Sequence, residues 1–149
     1  MLAMNTWTHF LPAASLTWLK MAFLSYRAIT MPDELYEEYI RSPGFIKEYI
    51  FPGGSLPSLS RITSVSASAK LCIEHLENIN GDQYYLTLRS WRDNLIANKD
   101  EILALGFDEK FIRVWEYYFI YCAAGFRTRT LGDYQVVFSR PGNNKLALA

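Results

Sequence analysis

The chain has 149 residues, of which 50% are apolar and 15% aromatic, a length and composition typical of one globular domain. This excludes a disordered tail and a fibrous repeat. Lysine and arginine together number 15, as do aspartate and glutamate, and the two signs also balance within residues 1–74 and within residues 75–149. A nucleic-acid-binding protein needs a surplus of basic residues to displace phosphate counterions, so that class is excluded too.

Cysteine and histidine are sparse. The two cysteines, Cys72 and Cys122, are too few for the disulfide framework of a small secreted protein. We therefore expect two free, buried thiols and a cytoplasmic location. The two histidines, His9 and His75, have no ligand spacing relative to the cysteines, so no metal site is expected.

The apolar stretch over residues 10–24 does not have the pattern of a membrane anchor. Pro12 and Lys20 interrupt it, and it is shorter than the roughly 20 residues that cross a bilayer. No lysine or arginine precedes Lys20, so the basic start of a secretory signal is missing. We predict a partly buried strand or helix here.

Apolar spacing, capping residues and chain breakers predict alternating strands and helices. The first half is predicted to contain a strand over 21–29, a helix capped by Thr30 and opened by Pro32 and Asp33, a short segment over 45–51 and, after Pro52-Gly53-Gly54, a helix from Ser55 to about Ala69. The second half is predicted to contain a strand over 71–79, a helical stretch over 84–105 with a second start at Asn98, a helix from Asp108 to about Phe126 and a strand over 134–138. This order predicts an α/β protein, and it is similar to the closing segment of a Rossmann-like sheet.

Aromatic residues are concentrated in the longest predicted helix. One face of it carries a stripe at helical spacing, namely Phe111, Trp115, Phe119, Cys122 and Phe126. The stripe is typical of a core helix, and it is also compatible with the wall of a long apolar pocket whose tyrosines supply polar tips from a second face. Both interpretations stay open from the residues alone.

The charged side chains give weaker signals. Adjacent carboxylates such as Glu37 and Glu38 do not face a common site on a helix and are predicted to be solvated, and His75 falls on the polar side of its strand. The arginines 127, 129 and 140 suit a lipid phosphate, and they also suit the C-terminal end of a helix. None of the eight glycines forms a G-x-G turn, so no cofactor-binding residue is predicted.

Six segments in order resemble the cyclopropane-fatty-acyl-phospholipid synthase family. They lie at residues 48–58 (EYIFPGGSLPS), 84–91 (YYLTLRSW), 104–111 (ALGFDEKF), 115–118 (WEYY), 121–127 (YCAAGFR) and 134–138 (YQVVF). Such an ordered set is far more specific than any single block. The resemblance covers residues 28–143 and implies the C-terminal part of a class I methyltransferase fold, helix-rich, with two or three strands in an incomplete sheet.

The resemblance also implies an activity. Members of this family use S-adenosylmethionine to methylate a cis double bond in a phospholipid acyl chain. The resulting carbocation loses a proton and closes a cyclopropane ring, and a bound bicarbonate acts as the base. An aromatic-lined, dry pocket would protect and stabilise such a cation.

Several residues take family roles by this resemblance. Tyr84 matches the tyrosine that hydrogen-bonds bicarbonate, and Ile29 matches a position whose backbone N–H contacts the same anion. Arg27 stands where the family has a histidine or glutamine ligand, and an arginine there resists losing a proton. Cys122 matches a thiol near the active site that takes no chemical part. The acyl-pocket candidates are Phe111, Trp115, Tyr118 and Phe119.

The resemblance also leads to predictions about the chain as a whole. We expect an unrelated leader over 1–27, the methyltransferase segment over 28–143 and a tail over 144–149, and we expect the chain alone to be inactive without the family's cofactor loop. The alternative is a non-enzymatic fragment that binds lipid or pairs with itself or a full-length relative through uncovered strand edges. Because the net charge is zero, peripheral membrane contact would have to come from apolar burial or a partner.

Overall fold

The computed structural model describes residues 23–79 and 81–143, and these form two compact units. The first unit contains residues 23–42, 55–79 and 132–143, and the second contains residues 43–54 and 81–131. The predicted leader over 1–27 lies mostly outside the described residues, and the predicted tail over 144–149 lies entirely outside them. These boundaries stay predictions.

The first unit contains a three-stranded sheet whose middle strand comes last in the chain. The strands are β1 (Leu24–Thr30), β2 (Cys72–Asn78) and β3 (Gly132–Ser139), in the order β1-β3-β2. Because β3 is antiparallel to both neighbours, β1 and β2 run parallel to each other. The expected two or three strands are confirmed. The expectation that the last strand has an uncovered edge is wrong, because β3 is hydrogen-bonded on both sides.

Two helices complete the first unit. The helix α1 (Asp33–Arg41) follows Pro32 and has no side-chain cap, so the predicted cap at Thr30 is wrong; Thr30 is instead the buried last residue of β1. The helix α2 (Leu59–Ser68) begins later than the predicted Ser55, because the Ser58 hydroxyl caps it by accepting a hydrogen bond from the Arg61 N–H at 3.3 Å.

The core of the first unit lies between α2 and one face of the sheet. Ile62 and Val65 of α2 pack against Val136 and Phe138 of β3, both of which are completely buried. Leu71, just before β2, is buried in the same cluster. Alternate residues of β3 point to this face, as the twofold repeat of a strand requires.

The strand β2 departs from its predicted pattern. All seven residues are exposed, so Ile73 is not on a buried face and Cys72 is not a buried thiol. The register shifts between Ile73 and His75, where a β-bulge leaves Glu74 without an opposing residue on β3. The Glu74 carboxylate accepts a hydrogen bond from the buried Ser139 hydroxyl.

The second unit is helical. It contains a π-helical turn (Ile46–Ile50) and the helices α3 (Gly81–Ala97), α4 (Lys99–Ala104) and α5 (Glu109–Arg127), of which α3 and α5 pack together. The Arg92 guanidinium joins these two by donating to Glu116 at 2.7 Å. The predicted break at Asn98 is confirmed, although its amide donates to the Asn94 carbonyl and does not cap α4. Asp108 caps α5 as predicted.

An ion pair between the half-exposed Arg27 and the buried Asp133 ties β1 to β3. The Arg27 guanidinium donates to both Asp133 carboxylate oxygens, from Nε at 3.1 and 3.2 Å and from a terminal nitrogen at 2.5 Å. The Asp133 side chain is 1% exposed, whereas that of Arg27 is 55% exposed. The carboxylate therefore depends on the guanidinium much more than the reverse, because only Arg27 keeps access to water.

This asymmetry predicts unequal effects of removing either partner. Arg27→Gln leaves a buried charge unpaired and should lower the free energy of unfolding by about 3–5 kcal/mol. Asp133→Asn removes charge-assisted hydrogen bonds and should lower it by about 1.5–3 kcal/mol. Urea unfolding of both variants measures the difference. The double variant should be more stable than Arg27→Gln alone, and equal losses in the two single variants would contradict this account.

Candidate functional site

The four acyl-pocket candidates lie together on α5 and are half-buried. Phe111 packs on Trp115 with a ring-centroid distance of 6.1 Å, and Trp115 contacts both Tyr118 at 5.6 Å and Phe119 at 5.8 Å. These rings follow the helical repeat predicted from the sequence. The prediction that Phe111, Trp115 and Phe119 share one face is confirmed, whereas Tyr118, a tyrosine expected on a second face, packs beside them. Their role in acyl binding stays a prediction.

The row of rings continues onto α3. Phe119 contacts Trp91 at 6.1 Å, Trp91 contacts Tyr84 at 6.5 Å, and Tyr84 stacks on the buried Phe126 at 4.6 Å. From Phe111 to Phe126 the row extends about 22 Å along α5, at about 1.5 Å per residue. It is hereafter called the aromatic row: Phe111, Trp115, Tyr118, Phe119, Trp91, Tyr84 and Phe126.

Titratable groups meet within the aromatic row where Tyr118, Cys122 and Tyr84 approach one another. The Tyr118 hydroxyl donates a hydrogen bond to the Cys122 sulfur. Burial raises the pKa of Tyr118, and the neighbouring Cys122 and Tyr84 raise it further. Burial also raises the pKa of Cys122 to about 11, against a smaller lowering by the Tyr118 hydrogen bond. Both groups are therefore neutral near neutral pH, and Tyr118 keeps its proton as a hydrogen-bond donor.

The core and pocket-wall interpretations both describe part of α5. Ile112, Cys122, Ala123 and Phe126 are buried and pack the helix, as a core helix requires. Phe111, Trp115, Tyr118 and Phe119 keep part of their surface exposed, as a pocket wall requires.

Two aromatic residues that contact the candidate site, Trp91 and Phe51, were not predicted as site residues from the sequence. The sequence analysis assigned Trp91 only to the apolar repeat of α3. Such a repeat does not predict which other helix the Trp91 ring contacts. Phe51 contacts Tyr118 at 5.8 Å from the residue before the Pro52-Gly53 turn. Its only signal was its place in the EYIFPGG segment.

The residues assigned to the anion by resemblance lie in different units. Tyr84 belongs to α3 of the second unit, whereas Ile29 belongs to β1 of the first unit, directly opposite Asp133 in the register. Arg27, two residues before Ile29, binds the Asp133 carboxylate. An internal carboxylate therefore already holds the cation that stands in the family's ligand position.

The remaining charged candidates are mostly exposed. His75 lies 3.5 Å from Glu77, with both side chains exposed, and Glu37 pairs with Arg41 at 3.0 Å on the surface of α1, as predicted. Arg127 lies 3.6 Å from Asp82 in the second unit, whereas Arg140 belongs to the first unit, so the predicted arginine trio is divided between the two. Within 23–79 and 81–143, no group of three or more His, Cys, Asp or Glu side chains suits a metal ion.

Among the helices within 23–79 and 81–143, none combines the length and the apolarity of a membrane span.

Comparison with known proteins gives a consistent family. The family model described as mycolic acid cyclopropane synthetase matches residues 2–136, which include most of the predicted leader. Tuberculostearic acid methyltransferase UfaA1 of Mycobacterium tuberculosis is 38% identical over 120 residues, covering 80% of this chain and 28% of the relative. Cyclopropane-fatty-acyl-phospholipid synthase of Escherichia coli is 39% identical over 105 residues, covering 70% of this chain and 27% of the relative. The chain thus spans little more than a quarter of the length of either relative.

Solved structures agree on the fold. The cyclopropane synthase MmaA2 from Mycobacterium tuberculosis matches with a TM-score of 0.79 and 21% identity, covering 91% of this chain and 50% of that one. The mycolic acid cyclopropane synthase CmaA1, in a complex with SAH and CTAB, matches with a TM-score of 0.80 and 23% identity, with the same coverage. The predicted class I methyltransferase fold, helix-rich with an incomplete sheet, is confirmed.

The two cysteines should differ sharply in reactivity. At about pH 8 an aromatic disulfide reagent should modify the exposed Cys72 rapidly and Cys122 slowly, because only a thiolate reacts and Cys122 is buried with a raised pKa. The rate of Cys122 modification should rise about tenfold per pH unit until the pH reaches the Cys122 pKa of about 11. Stopped-flow absorbance measures both phases. Cys72→Ser should remove only the fast phase and Cys122→Ser only the slow one; a fast Cys122 would contradict the burial.

Proposed function

Because the chain belongs to the mycolic acid cyclopropane synthetase family, we propose that it forms the acyl-binding wall and part of the anion site of an S-adenosylmethionine-dependent methyltransferase. The reaction is methylation of a cis double bond in a phospholipid acyl chain, followed by proton loss and closure of a cyclopropane ring. S-adenosylmethionine supplies the methyl group when it is bound. The names of two relatives, a tuberculostearic acid methyltransferase and a cyclopropane-fatty-acyl-phospholipid synthase, support a lipid acyl substrate.

The continuous aromatic row is the observation that carries this proposal. Its length of about 22 Å exceeds the hydrocarbon depth of one leaflet, about 15 Å or half of a bilayer core. An acyl chain lying along it would contact ring faces and little water. Ring faces attract positive charge, so the row also suits a reaction that passes through a carbocation.

Tyr84 is proposed to hold the bicarbonate base. Its ring is fixed by stacking on the buried Phe126, and its neighbour Tyr118 is a neutral phenol bonded to Cys122. The Tyr84 phenol is proposed to donate a hydrogen bond to the anion, and a donor fixed in place stabilises charge without reorganising. Cys122 acts by holding Tyr118, because a thiol with a pKa of about 11 is neither a nucleophile nor a base near neutral pH.

A purely non-enzymatic binding role has no supporting observation of its own. The exposed β2 edge is compatible with pairing, but β3 is fully paired, so the sheet is less open than the sequence suggested. The enzymatic proposal is therefore preferred.

Acyl binding can be tested by tryptophan quenching. In a Trp7→Phe/Trp18→Phe background, Trp91 and Trp115 are the two remaining indoles. Mixed micelles of a detergent and phosphatidylcholine brominated at mid-chain should reduce their fluorescence at least about twofold, because bromine would lie against the aromatic row. Non-brominated lipid is the control.

Variants decide whether the row causes the quenching. Phe119→Ala should weaken lipid binding about five- to tenfold through lost apolar contact. Leu105→Ala, an exposed apolar change outside the row, should leave binding unaltered. Equal effects of the two variants, or no quenching, would overturn the acyl-binding role.

Donor binding by the 149-residue chain alone is expected to be absent. No glycine of this sequence forms the G-x-G turn that brings backbone N–H groups to a nucleotide-like ligand. Titration with S-adenosylmethionine in a calorimeter should therefore give no binding heat, and mass spectrometry should find no lipid heavier by one CH₂ group. A micromolar dissociation constant would contradict this expectation.

A further inference from the structure

The side of α5 that is turned away from the aromatic row is exposed along its length. At 100° per residue, Lys110, Arg113, Tyr117, Ile120, Tyr121 and Ala124 fall on one side of the helix, and the α5 members of the row fall on the opposite side. All six are exposed. We call these six residues the outer face.

The outer face combines apolar and aromatic surface with positive charge. Tyr117 is 51% exposed, Ile120 48% and Tyr121 53%. Lys110 and Arg113 form no ion pair with any residue of 23–79 or 81–143. The outer face contains no carboxylate, and the acids beside it are engaged elsewhere, Glu109 with Lys99 and Glu116 with Arg92.

The tyrosines of the outer face are held in place by ring contacts. Phe45 meets the Tyr117 ring edge-to-face at 4.7 Å, and Tyr117 stacks on Tyr121 at 5.9 Å. Fixed tyrosines lose little conformational entropy when they bind a second surface. A ring with an apolar body and a polar tip is suited to the boundary between lipid headgroups and acyl chains.

We propose that the outer face docks on the surface of an anionic lipid bilayer, with α5 lying parallel to the membrane. This rests on the proposed function, because a lipid-modifying enzyme has to meet its substrate at a membrane. Tyr117, Ile120 and Tyr121 enter the interface, and Lys110 and Arg113 contact lipid phosphates. A basic amphipathic helix of this kind binds through apolar burial together with local electrostatic attraction. The zero net charge of the chain is no obstacle, since only charges within about 10 Å act at physiological salt.

Vesicle flotation tests the surface with the full 149-residue chain. The chain should float with vesicles of phosphatidylglycerol and phosphatidylcholine in equal parts, and less with phosphatidylcholine alone. Ile120→Ser/Tyr121→Ser should reduce binding about tenfold on both vesicle types through lost apolar burial. Lys110→Gln/Arg113→Gln should remove the preference for anionic vesicles, which falls with added salt in the unmodified chain. All these side chains are exposed, and circular dichroism checks that the variants are folded.

The control is Leu76→Ser, which removes a side chain of similar exposure, 44%, from β2. It should float like the unmodified chain. If it lowers binding as much as Ile120→Ser/Tyr121→Ser, or if no variant matters, the outer face is not the docking surface. Failure here is distinct from failure of the proposed function, because acyl quenching in micelles is independent of vesicle docking.

Discussion

The first unit depends on the hydrogen bonding and packing of β3 between its two neighbours. Leu24 pairs with Phe138 and Cys72 pairs with Ser139, so a strand near the end of the described chain joins two strands that come much earlier. Val136 and Phe138 supply the sheet's contribution to the core, and Asp133 supplies the partner of Arg27. Without β3, β1 and β2 have no common partner.

Most of the element order could be predicted because local patterns decide it. The stripe from Phe111 to Phe126 and the Asp108 cap specify α5, and the Val-Val-Phe run specifies β3. The errors are of two kinds. Thr30 was assigned as a cap and Ser55 as a helix start from residue type, whereas the backbone course and Ser58 decide where α1 and α2 begin. The Cys72 thiol of β2 was expected to be buried and is exposed, because burial depends on neighbours that a local pattern cannot reveal.

The candidate site was predictable in part. Helical spacing placed the rings of α5 on one face, and the resemblance selected Tyr84 and Cys122. Neither the helical spacing nor the resemblance indicated that Trp91 contacts Phe119 or that Phe51 contacts Tyr118, because Trp91 and Phe51 lie on other segments of the second unit. The pairing of Arg27 with Asp133 was also beyond reach, since the two are 106 residues apart in sequence. Contacts between distant segments, rather than residue types, account for what the sequence did not reveal.

The aromatic row and the outer face are two sides of a single helix. An α-helix with its side chains is about 10–12 Å in diameter, so α5 is a partition of that thickness between the ring-lined side and the tyrosine-bearing side. With the outer face on a bilayer, a lipid would need to rise by little more than one helix diameter for its chain to reach the rings. Its headgroup could then stay at the water boundary during the transfer, which makes full extraction of the lipid into solvent unnecessary.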